Sequence, residues 1–284
     1  MMTKEIYTPE QWEEEQEAAW MEDTGVARIE EPDSVNTITI LGGTDKSGQP
    51  ENIELTLSAG SITGIVGPTG SGKSRLLADI EWLANRDTPT RRKILINGKE
   101  PDSKNRFALE SKLVAQLSQN MNFVMDATVH EFIGMHADSR LVKEAKPVIT
   151  EIVAQANELA GERFTGDTPL TSLSGGQSRA LMIADTAFLS RSPIVLIDEI
   201  ENAGIDRKKA LSLLVRKEKV VLLATHDPIL ALLADQRIII RNGGIIKIIK
   251  TEEAEKKMLA KLEKFDNKMQ NLRDRLRRGE MIVK

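Results

Sequence analysis

Eight consecutive residues constrain this chain more than any others: Gly67-Pro68-Thr69-Gly70-Ser71-Gly72-Lys73-Ser74. They fit the spacing G-x-x-x-x-G-K-[ST]. Before them, Ser61-Ile62-Thr63-Gly64-Ile65-Val66 reads as a short buried strand; after them, residues 75–83 read as an amphipathic helix. A strand, a glycine-rich loop and a helix in that order build a cradle for an anion. Gly67, Gly70 and Gly72 give the backbone conformations that a side chain would forbid. Successive N–H groups then turn inward as an anion nest, and the helix that starts near Lys73 adds the positive end of its dipole. Lys73 can reach the outer phosphates of a bound polyphosphate, and the Ser74 hydroxyl can ligate Mg²⁺.

Composition narrows the setting. At 284 residues, with 40% hydrophobic and 29% charged residues, the chain fits one or two globular domains with a proper core. No apolar run approaches a membrane span, and the N-terminus is acidic rather than signal-like, so a cytoplasmic protein is expected, with peripheral attachment to the cytoplasmic face of a membrane left open. The absence of cysteine removes disulfides, thiolate metal sites and cysteine nucleophiles together. With three histidines and no cysteine, a structural zinc site is not expected. A net charge of −4 and a pI of about 5.7 argue against a nucleic-acid surface.

The pattern along the chain predicts three regions. Residues 1–34 are an acidic extension, with a helix from Thr8 as N-cap, through Pro9 and Gln11, to about Asp23, carrying Trp12 and Trp20. Residues 35–250 are the main domain. Strands are expected at 37–41, 52–57, 61–66, 93–99, 113–116, 193–197 and 220–224, with a hairpin at 237–241 and 245–249 around Asn242-Gly243-Gly244. Residues 120–172 read as mostly helical, within a helical subdomain of about 120–190, with one helix opening at 127–133 and another at 141–160, interrupted at Pro147 and stopped by Gly161. The tail, 251–284, reads as a charged helix to about Arg278, with Met258, Leu262, Phe265, Met269, Leu272 and Leu276 at alternating spacings of four and three. That seam serves either to lay the helix on its own domain or to pair it with a partner.

Two further stretches carry chemistry. Ile194-Val195-Leu196-Ile197-Asp198-Glu199 is an apolar strand ending in two carboxylates. Beside a phosphate cradle, the first can hold Mg²⁺ and the second can orient or deprotonate a water. Leu173-Ser174-Gly175-Gly176-Gln177 can open a helix whose N-terminal amides face an anion.

At this pentapeptide the chain resembles the ATP-binding cassette (ABC) ATPases, whose signature motif it matches. The other family motifs fall in order over about residues 35–250. Residues 67–74 match the Walker A loop. Gln119, ten residues before Val129 of Thr128-Val129-His130-Glu131, matches the Q-loop glutamine, with Gln116 as a weaker candidate. Asp198 and Glu199 match the Walker B aspartate and catalytic glutamate, Asp206 the end of the D-loop, and His226 the switch histidine.

The resemblance implies an α/β P-loop fold: a RecA-like mixed sheet, an antiparallel β subdomain and an α-helical signature subdomain. It implies Mg²⁺-dependent ATP hydrolysis in a head-to-tail dimer, homo- or heteromeric. Residues 67–74 of one subunit would then face Ser174, Gly175, Gly176 and Gln177 of the other, with Asp206 lining the shared nucleotide. Glu199 would polarise the attacking water, with Lys73, His226 and Gln119 completing the catalytic set. Ser74, Asp198 and Gln119 would serve the metal.

Three departures stand out. The family's adenine-stacking aromatic has no counterpart in Ile40 to Gly48, and the only tyrosine, Tyr7, lies far upstream. Adenine is therefore expected on aliphatic surface, and GTP is expected to compete better than is usual in the family. The segment Asp198-Glu199-Ile200-Glu201-Asn202-Ala203-Gly204-Ile205-Asp206 is one residue longer than the common D-loop and lacks its proline. Asp185 stands where the common pattern has an arginine.

The resemblance leaves a leading and an alternative role: the nucleotide-binding subunit of a transporter, partnered by a membrane permease, or a cassette driving cofactor assembly, metalloenzyme activation or remodelling of a soluble client. A nucleic-acid role is not expected, because only about a hundred residues separate the phosphate loop from the signature, leaving no room for a long insertion.

Overall fold

The computed structural model describes residues 35–102, 106, 112–118, 123–200 and 204–282. The expected helix at 8–23, Tyr7, Trp12, Trp20 and Gln119 lie outside these residues.

Two apolar runs explain the architecture. Ile194–Asp198 and Val220–Ala224 are strands in which consecutive side chains enter two different cores. Ile194, Leu196, Val220 and Leu222 join one core cluster, and Val195, Ile197, Val221 and Leu223 join the other. Both faces of such a strand are covered, which is why its sequence is continuously apolar instead of alternating. In chain order the elements are β1 (Thr37–Leu41), β2 (Glu54–Ser58), β3 (Ile62–Val66), α1 (Lys73–Glu81), β4 (Lys93–Ile96), β5 (Val114–Leu117), α2 (Val129–Ser139), α3 (Ala145–Leu159), α4 (Gly175–Phe188), β6 (Ile194–Asp198), α5 (Arg207–Arg216), β7 (Val220–Ala224), α6 (Pro228–Leu233), β8 (Gln236–Arg241), β9 (Gly244–Lys250) and α7 (Glu253–Arg277).

A six-stranded sheet has the order β5-β6-β7-β3-β8-β9, parallel from β5 to β8, with β9 antiparallel at its edge. On one face lie α1 and the three-stranded antiparallel sheet β2-β1-β4. On the other lie α2, α3, α4 and α5. The mixed sheet, the antiparallel sheet and the separate helical layer form the expected α/β P-loop fold.

Several boundaries move for physical reasons. The strand expected from residue 52 starts at Glu54, after Asn52 adopts a left-handed φ of 46°. Pro147 does not interrupt a helix that starts at 141. Leu141 is left-handed at φ 54°, and α3 starts at Ala145, so Pro147 sits in its first turn, where its missing N–H has no intrahelical partner to lose. The hairpin turn is the two residues Asn242 and Gly243, at φ 51° and 81°, the positive pair that a type I′ turn requires.

The tail helix rests on the domain by its polar flank. Arg207 bonds Asp266 at 2.9 Å, Lys208 pairs with Glu263, and Arg237 bonds Glu255 at 2.6 Å. Leu262 and Leu272 of the heptad seam are partly covered, while Met258, Phe265, Met269 and Leu276 face outward.

A further clasp is buried. Arg92 is 0% exposed. Its guanidinium donates to Asp79 on α1 at 2.9 Å, to Glu51 at 2.5 and 3.0 Å, and to the Gly243 carbonyl of the hairpin at 2.7 Å. Glu51 also accepts from the Gly43 and Ile245 N–H groups at 2.8 and 2.6 Å. Burial by itself pushes the Glu51 carboxyl up; the Arg92 guanidinium and these two amides outweigh it and hold it below the usual range.

Arg92→Leu is expected to cost about 3–5 kcal/mol, because it strands two buried carboxylates; a urea midpoint unchanged from the parent would contradict this. The depressed Glu51 carboxyl also fixes a sign. Its contribution is fully present above about pH 4.3 and is lost as pH falls through its lower folded value. The Arg92→Leu variant should therefore show a weaker loss of stability on acidification than the parent.

Candidate active site

The phosphate loop leaves the carboxyl end of β3 and enters α1, as the spacing of residues 67–74 requires. Gly72 caps α1 at φ 110°, and a Cβ there would stand 2.9 Å from the Gly243 Cα, so both its conformation and its space exclude a side chain. A Cβ on Gly67 would meet the Ile240 carbonyl at 2.4 Å. The loop is thus seated directly on the β8–β9 hairpin, whose Gly243 N–H also donates to the Ser71 carbonyl of the loop at 2.7 Å.

The loop side chains fit a phosphate guest. Lys73 is buried, and its ammonium folds back to the carbonyls of Gly67 and Pro68 at 2.9 and 3.2 Å. Those are the bonds an anion seated in the loop would compete for. Among the described residues, the buried Ser71 hydroxyl has no hydrogen-bond partner, a state that costs about 1–3 kcal/mol. Pro68, Thr69, Gly70 and Ser74 line the partly or fully exposed mouth.

The two carboxylates stand two strands away, at the carboxyl end of β6. Asp198 pairs in register with Ala224 of β7, and the Glu199 N–H donates to the Ala224 carbonyl at 3.0 Å. Glu199 is left-handed at φ 52°, a strained conformation for a residue with a side chain, of a kind found at functional sites. Its carboxylate lies 3.5 Å from the His226 Nε2. His226 follows β7, on a segment fixed by Thr225, whose N–H donates to the Ile65 carbonyl of β3 at 3.2 Å. Asp227 caps α6 by accepting from the Ile229 N–H at 2.7 Å. The structure therefore brings Glu199 and His226 together at the same edge of the sheet as the phosphate loop.

No group of three or more His, Cys, Asp or Glu that could hold a metal occurs among the described residues. The candidate donors, the Ser74 hydroxyl and the Asp198 carboxylate, are hard oxygens. They suit Mg²⁺, which takes one or two protein ligands and completes its shell with phosphate oxygens and water.

The signature residues stand elsewhere. Ser174 caps α4 in a reciprocal box with Gln177: the Gln177 N–H donates to the Ser174 hydroxyl at 3.3 Å, and the Ser174 N–H to the Gln177 side-chain oxygen at 2.8 Å. Ser174 and Gly175 are exposed, and Gly176 is half-buried. Because α4 packs on the sheet face opposite α1, this turn and the phosphate loop belong to different layers of one chain. Asp206 caps α5, accepting from the Lys209 N–H at 3.1 Å.

Sequence patterns missed several contributors. Arg179, on α4, donates to the Glu199 carbonyl at 3.5 Å and to the Ser118 carbonyl at 3.4 Å. It links the signature helix to the carboxylate strand and to the residue before Gln119. Arg207 pairs with Asp227, next to His226. Lys46 donates to the Gly70 carbonyl at 2.9 Å. No local spacing marks these residues; only tertiary contact does. Asp185, the departure in the signature helix, accepts from or pairs with the His136 Nδ1 at 2.9 Å and so stitches α4 to α2.

The family model described as ABC transporter matches residues 50–202. An uncharacterized ABC transporter ATP-binding protein of Methanocaldococcus jannaschii is 53% identical over 250 residues, covering 88% of this chain and 95% of the relative. Among solved structures, cbiO1 from Clostridium perfringens, part of the ABC transporter complex cbiONQ, superposes with a TM-score of 0.61 at 22% identity over 85% of this chain and 100% of that one. A dimeric ATP-binding cassette in a post-hydrolysis state, bound to ADP and Pi, superposes with a TM-score of 0.56 at 23% identity over 76% of this chain and 99% of that one. These two show a shared fold. Together with the profile match and the close relative, the loop seated under its lysine places this chain in the ABC transporter family of ATP-binding, ATP-hydrolysing proteins.

Proposed function

We propose that the chain is the nucleotide-binding subunit of a transporter, and that two cassettes close head-to-tail over ATP and open when its terminal phosphate is cut. In this reading residues 35–250 are the catalytic unit. The observation that carries it is the strained Glu199 with its carboxylate 3.5 Å from His226, at the sheet edge that also bears the phosphate loop.

Each residue has a task in this scheme. Gly67 to Gly72 cradle the phosphates with backbone N–H groups. Lys73 gives up its loop carbonyls for the β- and γ-phosphates. Ser74 and Asp198, with Gln119, would hold Mg²⁺, which when bound would neutralise charge on the phosphate oxygens. Glu199 orients and deprotonates the attacking water, and His226 fixes that water against the γ-phosphate. The exposed Ser174-Gly175 turn, with Gly176, Gln177 and Asp206, is available to cover the nucleotide of a second cassette.

The family model and the Methanocaldococcus relative both carry transporter names, and cbiO1 is part of a transporter complex. These favour a membrane permease as partner over a soluble client. No helix among the described residues is long and apolar enough to cross a membrane. Val124 is 96% exposed and neighbours the exposed Met125, while Met135 and Leu141 are exposed on or beside α2. Exposed apolar side chains of this kind suit a partner.

Glu199→Gln should slow ATP turnover by about 10²- to 10⁴-fold, the usual worth of a general base, and an ATP-bound dimer should accumulate on size-exclusion chromatography. Turnover at the parental rate would remove Glu199 from the role of base. Lys73→Ala should abolish ATP binding or turnover, read by calorimetric titration. Affinity purification from native membranes should yield a membrane protein with this chain; recovery of a soluble metalloenzyme or scaffold instead would favour the cofactor-assembly role.

A further inference from the structure

Lys46 lies in the stretch Ile40 to Gly48, where no aromatic residue is present to stack on a base. That stretch is not a loose loop. The Thr44 N–H donates to the Thr90 carbonyl at 2.7 Å, the Asp45 N–H to the Gln49 carbonyl at 2.9 Å, and the Lys46 N–H to the Asn242 carbonyl at 2.9 Å. The Asp45 carboxylate accepts from the Ser47 and Gln49 N–H groups and from the Asn242 side chain. Asn242 and Gly243 form the hairpin turn that seats the phosphate loop. A Cβ on Gly243 would stand 2.8 Å from the Lys46 Cγ, so the lysine stem runs across that turn. Its ammonium ends 2.9 Å from the Gly70 carbonyl, in the middle of the loop.

We infer that Lys46 is a second lysine of the nucleotide site, binding the phosphate chain of the bound triphosphate by charge. The inference rests on the nucleotide-binding reading above. An ammonium has three donors, and Lys46 spends one on Gly70. The others are left at the exposed rim of the loop, beside Gly70. A cation held there by two layers of backbone hydrogen bonds needs little ordering when the nucleotide arrives. Recognition by charge is indifferent to the base, so ATP and GTP gain equally from it.

The test uses the full chain and calorimetric titration with the Mg²⁺ complexes of tripolyphosphate and of the non-hydrolysable imido analogues of ATP and GTP. Lys46→Met keeps the stem and removes the charge. It should weaken all three ligands by a similar factor of about tenfold, the worth of one charge-assisted hydrogen bond. It should also flatten the dependence of affinity on ionic strength, which loss of a merely structural prop would not do. Lys46→Arg should restore both. Unchanged affinities in Lys46→Met overturn the inference, as does a loss for the two nucleotides without a loss for tripolyphosphate. If Lys73→Ala abolishes binding while Lys46→Met leaves the affinities unchanged, only the role of Lys46 falls; if the parent binds none of the ligands, the nucleotide-binding reading itself falls.

Discussion

The guanidinium of Arg92 fastens three pieces of this protein that are far apart in sequence. Its partners are Asp79 on the helix behind the phosphate loop, Glu51 before the second strand of the antiparallel sheet, and the Gly243 carbonyl in the hairpin turn. An ion pair this deeply buried is weak evidence for net stability, since desolvation of three charges opposes their attraction. What it supplies is position. The antiparallel sheet cannot shift against the loop without stranding a charge, and the hairpin cannot leave Gly72 without losing the same clasp. The geometry of the phosphate cradle follows from that constraint, and so does the placement of Lys46 at its rim.

The sheet edge that carries Glu199 and His226 is built on a different principle. Strands β6 and β7 are held in register by backbone bonds and covered on both faces, so their carboxyl ends are rigid. Rigidity is what lets Glu199 persist at a positive φ, where a free peptide would relax. The strain re-aims the carboxylate toward His226, which leaves the neighbouring strand at the same level. Arg179 on α4 then bonds the backbone carbonyls that follow β6 and β5, tying the helical layer to the strand end that carries Glu199.

Much of this was legible in the residues. The glycine-lysine spacing, the two doubly buried strands, the Asn242-Gly243 turn and the Ser174 cap each follow from local rules, because each is satisfied by neighbours in the chain. Pro147 misled because proline ends a helix or begins one, and only the left-handed Leu141 shows which. Arg92, Arg179, Lys46 and Arg207 were not legible, since the partners that give an arginine or lysine its role lie 13 to 151 residues away. Asp185 looked like a lapse from the family pattern until His136, 49 residues earlier, stood opposite it.

Arg207 is shared between Asp227, beside His226, and Asp266, halfway along the terminal helix. The same arginine opens α5 directly behind Asp206. The last helix is therefore not mere upholstery on the outside of the molecule. One fork of a single side chain grips it, while the other steadies the turn from which the histidine projects. The outward row of Met258, Phe265, Met269 and Leu276 thus belongs to a helix whose anchoring arginine also holds the residue after His226.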